Sequence, residues 1–307
     1  MAQPARANTF PTRPITLVSA GATGGPTDTI ARIIADSMGT HLGQTIVVEA
    51  IGGSTVAPLR VAQARPDGYT LLINNIGFAA SPTMYRRLPY DVLRSFAPLG
   101  LVSDAAMTVI TRPDFPGTTF QDVLKTISRE GDRINFGAAG LGSSSNLCAL
   151  LVQQAAQGKA TVVNFRGTAP AMTELMAGRL DVLCDQATGA APYVLDGRVR
   201  GWAVSSQERL GALPNLPTTK EAGAPTIAMT TWHGMYAPAN TPEDVQERIS
   251  EALRAALREP VVQQRFAELV TSPAKQENAT PSSHRRFLAA EVERWRPVIT
   301  AAGTYVD

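Results

Sequence analysis

The sequence predicts an α/β protein in two lobes, and three observations carry that expectation. Short β-rich runs alternate with helical periods through the first two thirds of the chain. Two of those runs pass through Gly/Ser/Thr-rich turns into helices, and a late strand returns after a long excursion. The strands read as residues 15–18, 45–48, 69–73, 107–111, 134–136, 161–165, 180–184 and 201–204, with the return strand at 232–237. Between them, Ile30, Ile33, Ile34 and Met38 recur at helical spacing, as do Phe120, Val123, Leu124 and Ile127, then Leu147, Leu150 and Leu151, then Met172, Leu175 and Met176. That alternation predicts parallel sheets covered by helices. The last third turns helical: Thr241 reads as an N-cap, Pro242 as N1, and Val245, Ile249, Leu253 and Leu257 form one apolar stripe. Two more helices follow around 260–270 and 281–299. The chain is expected to cross between lobes near 103–113 and 226–232. Residues 1–104 with 231–307 then form lobe 1, and 105–230 form lobe 2. Two crossings make a hinge.

Composition narrows the function classes. With 307 residues, 44% hydrophobic and 18% charged, the chain has the makeup of a globular protein with room for two cores. A formal charge of +2 without a Lys/Arg track gives no expectation of nucleic-acid binding. No stretch approaches the ~20 apolar residues of a membrane span. The first residues lack an apolar h-region, so no signal peptide is expected in this chain. Cys148 and Cys184 read by default as two small buried hydrophobes, with a disulfide as the alternative.

The chemistry concentrates in the glycine turns. Residues 15–32 run from a strand through Ser19-Ala-Gly-Ala-Thr-Gly-Gly-Pro-Thr27 into a helix, and residues 134–148 do the same through Gly137-Ala-Ala-Gly-Leu-Gly-Ser143. At such places unpaired helix N-terminal N–H groups and the positive end of the dipole can grip an anion. Two of them suggest a cleft that holds both ends of an acid. Asp28 reads as a first-turn acid that caps its helix and braces the loop. Arg166-Gly-Thr-Ala-Pro170 is a third strand-to-helix turn, either a set of ligand contacts through Thr168 or an ordinary βα turn. Asp185 and Gln186, ending a strand, fall where a pocket floor would be.

Rival chemistries are weaker. Gly21-Ala22-Thr23-Gly24 resembles the glycine turn of an NAD(P)-dependent oxidoreductase, and Glu49 sits where a ribose-binding acid would. Thr27 occupies the third glycine position, however, and no Tyr-x-x-x-Lys pair occurs. Ser143, Ser144 and Ser145 lack a nucleophile elbow and read as helix-start hydroxyls. His41, His233 and His284 are scattered, and no metal-ligand spacing stands out, so neither a metal nor a cofactor is expected. His233 either lines the cleft or is a satisfied, partly buried histidine.

A set of motifs in fixed order carries a resemblance. It runs from Gly24-Gly-Pro-Thr-Asp-Thr-Ile-Ala-Arg32 and Pro66-Asp-Gly-Tyr-Thr-Leu-Leu72 through Leu88-Pro-Tyr-Asp91, Gly137-Ala-Ala-Gly-Leu-Gly-Ser143 and Arg166-Gly-Thr-Ala-Pro-Ala171. It continues with Ala177-Gly-Arg-Leu-Asp-Val182, Leu213-Pro-Asn-Leu-Pro-Thr218 and Ala237-Pro-Ala-Asn-Thr-Pro242. Together these resemble the Bug-type extracytoplasmic solute-binding proteins of tripartite tricarboxylate transporters, over residues 11–303. The resemblance implies a two-lobed type II periplasmic binding fold that closes on a small carboxylate and hands it to membrane components of the transporter. It implies no catalysis, a periplasmic location and a monomer. A ligand-binding partner of a sensory system would use the same lobes. By motif, the implied contacts are Ser19, Ala20, Ala22, Thr23 and Thr27 in lobe 1, and Ala139, Gly140, Ser143 and Ser144 in lobe 2, with Thr168, Ala169, Asp185 and Gln186 nearby.

Departures from the family pattern point to the ligand. Ser19-Ala20 stands where an aromatic is usual, the loop at 50–55 is shortened, Asn146 replaces a histidine, and Phe78 replaces another in the expected loop at 74–81. Losing one aromatic and gaining Phe78 predicts a reshaped pocket and a bulkier or flatter acid, an aromatic carboxylate or dicarboxylate.

Overall fold

The structure, a computed structural model, describes residues 10–52, 55–303 and 305–306. Residues 1–9 and part of the loop at 50–55, both singled out in the sequence, lie outside the described residues. In chain order the first elements are β1 (Ile15–Ser19), α1 (Pro26–Leu42), β2 (Ile46–Ala50), α2 (Val56–Ala62), β3 (Thr70–Asn75), α3 (Gly77–Met84) and β4 (Phe96–Thr111). There follow α4 (Phe120–Glu130), β5 (Asn135–Ala138), α5 (Ser144–Ala156), β6 (Thr161–Asn164), α6 (Thr168–Met176), β7 (Val182–Gln186), α7 (Ala187–Leu195) and β8 (Arg200–Val204). The chain closes with β9 (Thr230–Pro238), α8 (Glu243–Arg258), α9 (Pro260–Glu268), β10 (Ser272–Pro273) and α10 (Pro281–Ala302).

Strand order is β2-β1-β3-β9-β4-β7-β5-β6, with β8 and β10 also on β4. β2, β1 and β3 pair in parallel, as do β7, β5 and β6. The expected parallel sheets are interrupted in the middle, where β9 and β4 are antiparallel to their neighbours. These two are the crossing strands: residues 96–106 of β4 pair with β9, and residues 107–111 continue the same strand against β7 and β8. A strand that leaves one lobe and another that returns must run in opposite directions, and here they lie side by side.

The periodicity read from the sequence buries the faces it named. Ile30, Ile33, Ile34 and Met38 of α1 lie under 4% exposed against β1 and β3, each such side chain contributing about 1.5–3 kcal/mol of burial. Val245, Ile249, Leu253 and Leu257 of α8, at most 5% exposed, join the same core against α1 and β4. Helix α8 starts one residue later than expected: Thr241 donates its hydroxyl to the Pro238 carbonyl at 2.8 Å and does not cap. A second cluster is continuous between the lobes, from Phe96, Tyr236 and Trp295 to Val123, Phe136, Leu147 and Trp202.

Two expectations are corrected here. Cys148 and Cys184 are joined in a disulfide that ties α5 to β7, because the fold brings their Cα atoms to 6.1 Å. Residues 77–84 are helix α3, not loop, and Phe78 is buried at 2% in an aromatic cluster. Its ring lies 5.1 Å from Phe96, 4.9 Å from Tyr236 and 6.0 Å from Tyr90. Phe78 therefore packs the core of lobe 1 and supplies no aromatic wall to a pocket.

Candidate functional site

The first glycine turn leaves the carboxyl end of β1. Gly24 adopts a left-handed φ of 75°, and Gly25 N–H closes the turn on the Ala22 carbonyl at 2.9 Å. α1 begins at Pro26, which lacks an N–H, and no side chain caps the helix. Asp28 braces the turn: its Oδ2 accepts from Gly24 N–H at 2.9 Å, while Arg32 holds the same carboxylate at 3.1 Å. Occupied this way, Asp28 shapes the turn and keeps its charge turned to Arg32. Ala22 and Thr23 are exposed at the tip, Ala20 is half-buried, and Ser19 and Thr27 are buried beneath. Ser19 Oγ has no partner among the described residues. Thr27 Oγ1 meets His233 Nε2 at 3.1 Å and accepts from Asn75 Nδ2 at 3.3 Å. His233 is fully buried and satisfied, with its pKa pushed down to about 3 by burial, so it does not line a cleft.

The second turn leaves β5 with left-handed glycines at Gly140 and Gly142. Ser143 is the N-cap of α5: its Oγ accepts from Asn146 N–H at 3.1 Å and donates to the Gly140 carbonyl at 2.7 Å. The one hydrogen of that hydroxyl is engaged inside the turn, so, against the expectation of Ser143 as a side-chain contact, none is left to donate to a ligand carboxylate. Asn146 Oδ1 accepts from Gly142 N–H at 3.1 Å, the loop-bracing role that Asp28 plays in the first turn. Ser144 is buried, Ala139 and Gly140 half-buried, and Ser145 Oγ is buried without a partner. Sequence reasoning named Ser145 only as one of a run of helix-start hydroxyls.

The third turn lies beside the second, since a Cβ built on Gly140 would sit 3.6 Å from the Phe165 carbonyl oxygen. Gly167 has a φ of 114° and begins α6, with Thr168 half-buried and Ala169 exposed. Asp185 and Gln186 end β7, next to β5 and at the same carboxyl edge. Asp185 Oδ1 accepts from Gln186 N–H at 2.8 Å, and burial pushes its pKa up to about 7 against that bond. Gln186 Oε1 has no partner, nor has Thr108 Oγ1 opposite Asp185 on β4. No sequence signal pointed to Thr108, because only the strand register brings it there.

The turns of the two lobes meet. A Cβ built on Gly77, at the start of α3, would come within 2.7 Å of the Gly142 carbonyl oxygen. Met84 of α3 lies under the same turn, 3.5 Å from the Cβ position of Gly142. The two lobes thus touch at this point, backbone against backbone. A groove of about 650 Å³ opens between α5, β6 and the end of α10, lined by Leu150, Gln154, Lys159 and Val298. It lies apart from the first turn and shares only Leu141 and Asn146 with the second. Among the described residues, no cluster of His, Cys, Asp or Glu could hold a metal ion, and no helix is long and apolar enough to cross a membrane.

Known proteins share this architecture. The periplasmic binding protein BugD superposes with a TM-score of 0.87 at 36% identity, covering 96% of this chain and 99% of that one. MatC of Rhodopseudomonas palustris, solved with bound malate, gives 0.87 at 33% identity over 94% of this chain and all of MatC. A UPF0065 protein of Agrobacterium vitis, from the ttuE–ttuC' intergenic region, is 39% identical over 96% of this chain and 86% of its own length. The fold is thus the two-lobed type II periplasmic binding fold. The family model for the tripartite tricarboxylate transporter family receptor matches residues 30–304, and this chain belongs to that family.

Proposed function

We propose that this protein is an extracytoplasmic receptor that closes on a small dicarboxylate and delivers it to the membrane components of a tripartite transporter. The observation that carries the reading is that the start of α3, tied through Asn75 to Thr27 of the first glycine turn, meets the second glycine turn at Gly142, while buried hydroxyls near both and the Gln186 amide oxygen have no partner among the described residues. Such groups are costly to bury unless something bonds them. The contacts are assigned to Ser19, Ala20, Ala22, Thr23 and Thr27 from one side, and to Ala139, Gly140, Ser144, Thr168, Ala169, Asp185 and Gln186 from the other. Residues 1–104 with 231–307, and 105–230, are proposed as the two moving lobes. The protein acts as a monomeric receptor without catalysis or cofactor, in the periplasm. The disulfide supports an oxidising compartment.

The malate found in MatC supports the dicarboxylate class. Of the argument for an aromatic acid, the missing aromatic at Ser19-Ala20 remains and Phe78 falls away. A thermal-shift screen with malate, adipate, citrate, glutamate, benzoate, phthalate and terephthalate tests both. Stabilisation by a dicarboxylate, with none by NAD(H) or NADP(H), is expected. Stabilisation by a nucleotide and by no acid overturns the receptor reading. Stabilisation by aliphatic acids alone removes the aromatic one.

A further inference from the structure

A buried hydrogen-bond chain passes beneath the first glycine turn, through four neighbouring elements. Asn75 on β3 donates from Nδ2 to Thr27 Oγ1 at 3.3 Å, Thr27 meets His233 Nε2 on β9 at 3.1 Å, and His233 Nδ1 meets Ser103 Oγ on β4 at 3.0 Å. The sheet builds it, since His233 is the register partner of both Asn75 and Ser103. The sense of the Asn75 amide is settled by its Oδ1, which accepts from Gly77 N–H at 3.0 Å. His233 is 0% exposed and stays neutral at physiological pH, so its ring has one N–H and one bare nitrogen.

Counting hydrogens exposes a surplus. Thr27, His233 and Ser103 together carry two hydroxyl hydrogens and one ring hydrogen, yet only two links join them. With the ring hydrogen on Nδ1, Thr27 donates to Nε2, and the leftover hydrogen belongs to Ser103. Ser103 is 1% exposed inside the sheet, where it has no second partner among the described residues. With the ring hydrogen on Nε2, Ser103 donates to Nδ1 and His233 donates to Thr27. Thr27 Oγ1 then accepts twice, and the leftover hydrogen is its own, in the first turn. An unpaired buried donor is costly, so an acceptor supplied at that turn decides the tautomer.

We propose that His233 and Ser103 are positioning residues that hold the Nε2–H tautomer when a ligand carboxylate enters, aiming the Thr27 hydroxyl hydrogen at one of its oxygens. The inference rests on the carboxylate reading above. A second hydroxyl converges on the same place. Ser19 Oγ, 0% exposed and unpartnered, and Thr27 Oγ1 lie 3.8 and 3.6 Å from the Cβ position of Gly21. With its surplus donor, the turn selects acceptors, and an amide N–H or ammonium presented there would leave the Thr27 hydrogen without a partner. Neither His233 nor Ser103 touches the ligand in this arrangement, yet both stand on the strands that cross between the lobes.

The test is nitrogen-15 NMR of histidine-labelled protein at saturating malate, adipate or terephthalate, whichever stabilises it. Substitution His233→Gln identifies the ring's signals. The expected spectrum is that of the Nε2–H tautomer in the acid-bound protein. Ser103→Ala should weaken the acid about tenfold, the scale of one hydrogen bond lost to misdirection, and Ser103→Thr should restore it. An Nδ1–H ring in the acid-bound protein overturns the inference, as does Ser103→Ala binding like the parent. If that variant does not fold, the parent's spectrum decides alone. Failure of all three acids to shift the melting temperature overturns the carboxylate reading and this inference with it. Binding with the wrong tautomer overturns this inference only.

Discussion

Asp185 is a carboxyl kept from water at the end of β7, with one N–H to hold it and a pKa raised from 3.8 to about 7. The folded protein therefore binds a proton that the unfolded chain has lost above pH 4. The sign follows: this group's contribution is fully present at low pH, falls as pH rises from about 4 to about 7, and is gone above. Asp185→Asn keeps the acceptor for Gln186 N–H and removes the titration. At pH 8 it should raise stability by up to about 4 kcal/mol, read by urea denaturation, with little change at pH 4. The same substitution should flatten the loss of carboxylate affinity expected between pH 6 and pH 8, read by calorimetry. A neutral Asp185 also removes the repulsion that an acid on the pocket floor would exert on an acid ligand. At this scale the sequence displayed residue types but not their neighbours. Thr27 and Gln186 could be singled out because they flank turns. Ser103 and Thr108 could not, since their importance comes from strand register across distant segments. The spent hydroxyl of Ser143 was foreshadowed by its helix-start reading.

Gly77 shows what one element contributes through its end. It needs no left-handed backbone, so alanine fits its conformation; what forbids a side chain is the Gly142 carbonyl of the opposite lobe. Gly77→Ala should prop the lobes apart by a few tenths of an ångström and weaken dicarboxylate binding about tenfold, with thermal stability of the unliganded protein nearly unchanged. Calorimetry and small-angle scattering with and without malate check this, and unaltered affinity would mean that the closed contact is not used. Helix α3 went unread because Gly77, Ser81 and Pro82 punctuate it and because Phe78, Ala79 and Ala80 offer no face to count. The first half of β4 escaped for a related reason. Pro98 and Gly100 read as breaks, whereas the structure absorbs them in a register shift against β9. The buried faces of helices α1, α4 and α8 were legible, because one apolar stripe over several turns has a single interpretation, although the cap of α8 fell one residue later than expected. The disulfide was not legible, since a spacing of 36 residues says nothing of a Cα separation of 6.1 Å.

On the scale of the molecule, the lobes differ in how they are secured. The disulfide lies wholly in the second, where it fixes α5, whose N-terminus carries one glycine turn, to β7, which ends in Asp185 and Gln186. Replacing both cysteines by serine should cost about 3–4 kcal/mol, the chain-entropy value for a loop of that length, and should lower the melting temperature. Calorimetric scans of the variant should separate into two transitions, the less stable one moving upward with dicarboxylate. No disulfide joins the lobes, but β4 and β9 stay paired up to Ala106 and Thr230, where β4 passes into the other lobe. A hydrogen-bonded pair of strands bends far more readily across its face than within its plane, so such a ribbon gives the protein essentially one axis of motion. The angle of closure then becomes a measurement. An acid too long for the site would stop the swing before Gly142 reached Gly77, so the length of the cargo would be written in the angle between the lobes.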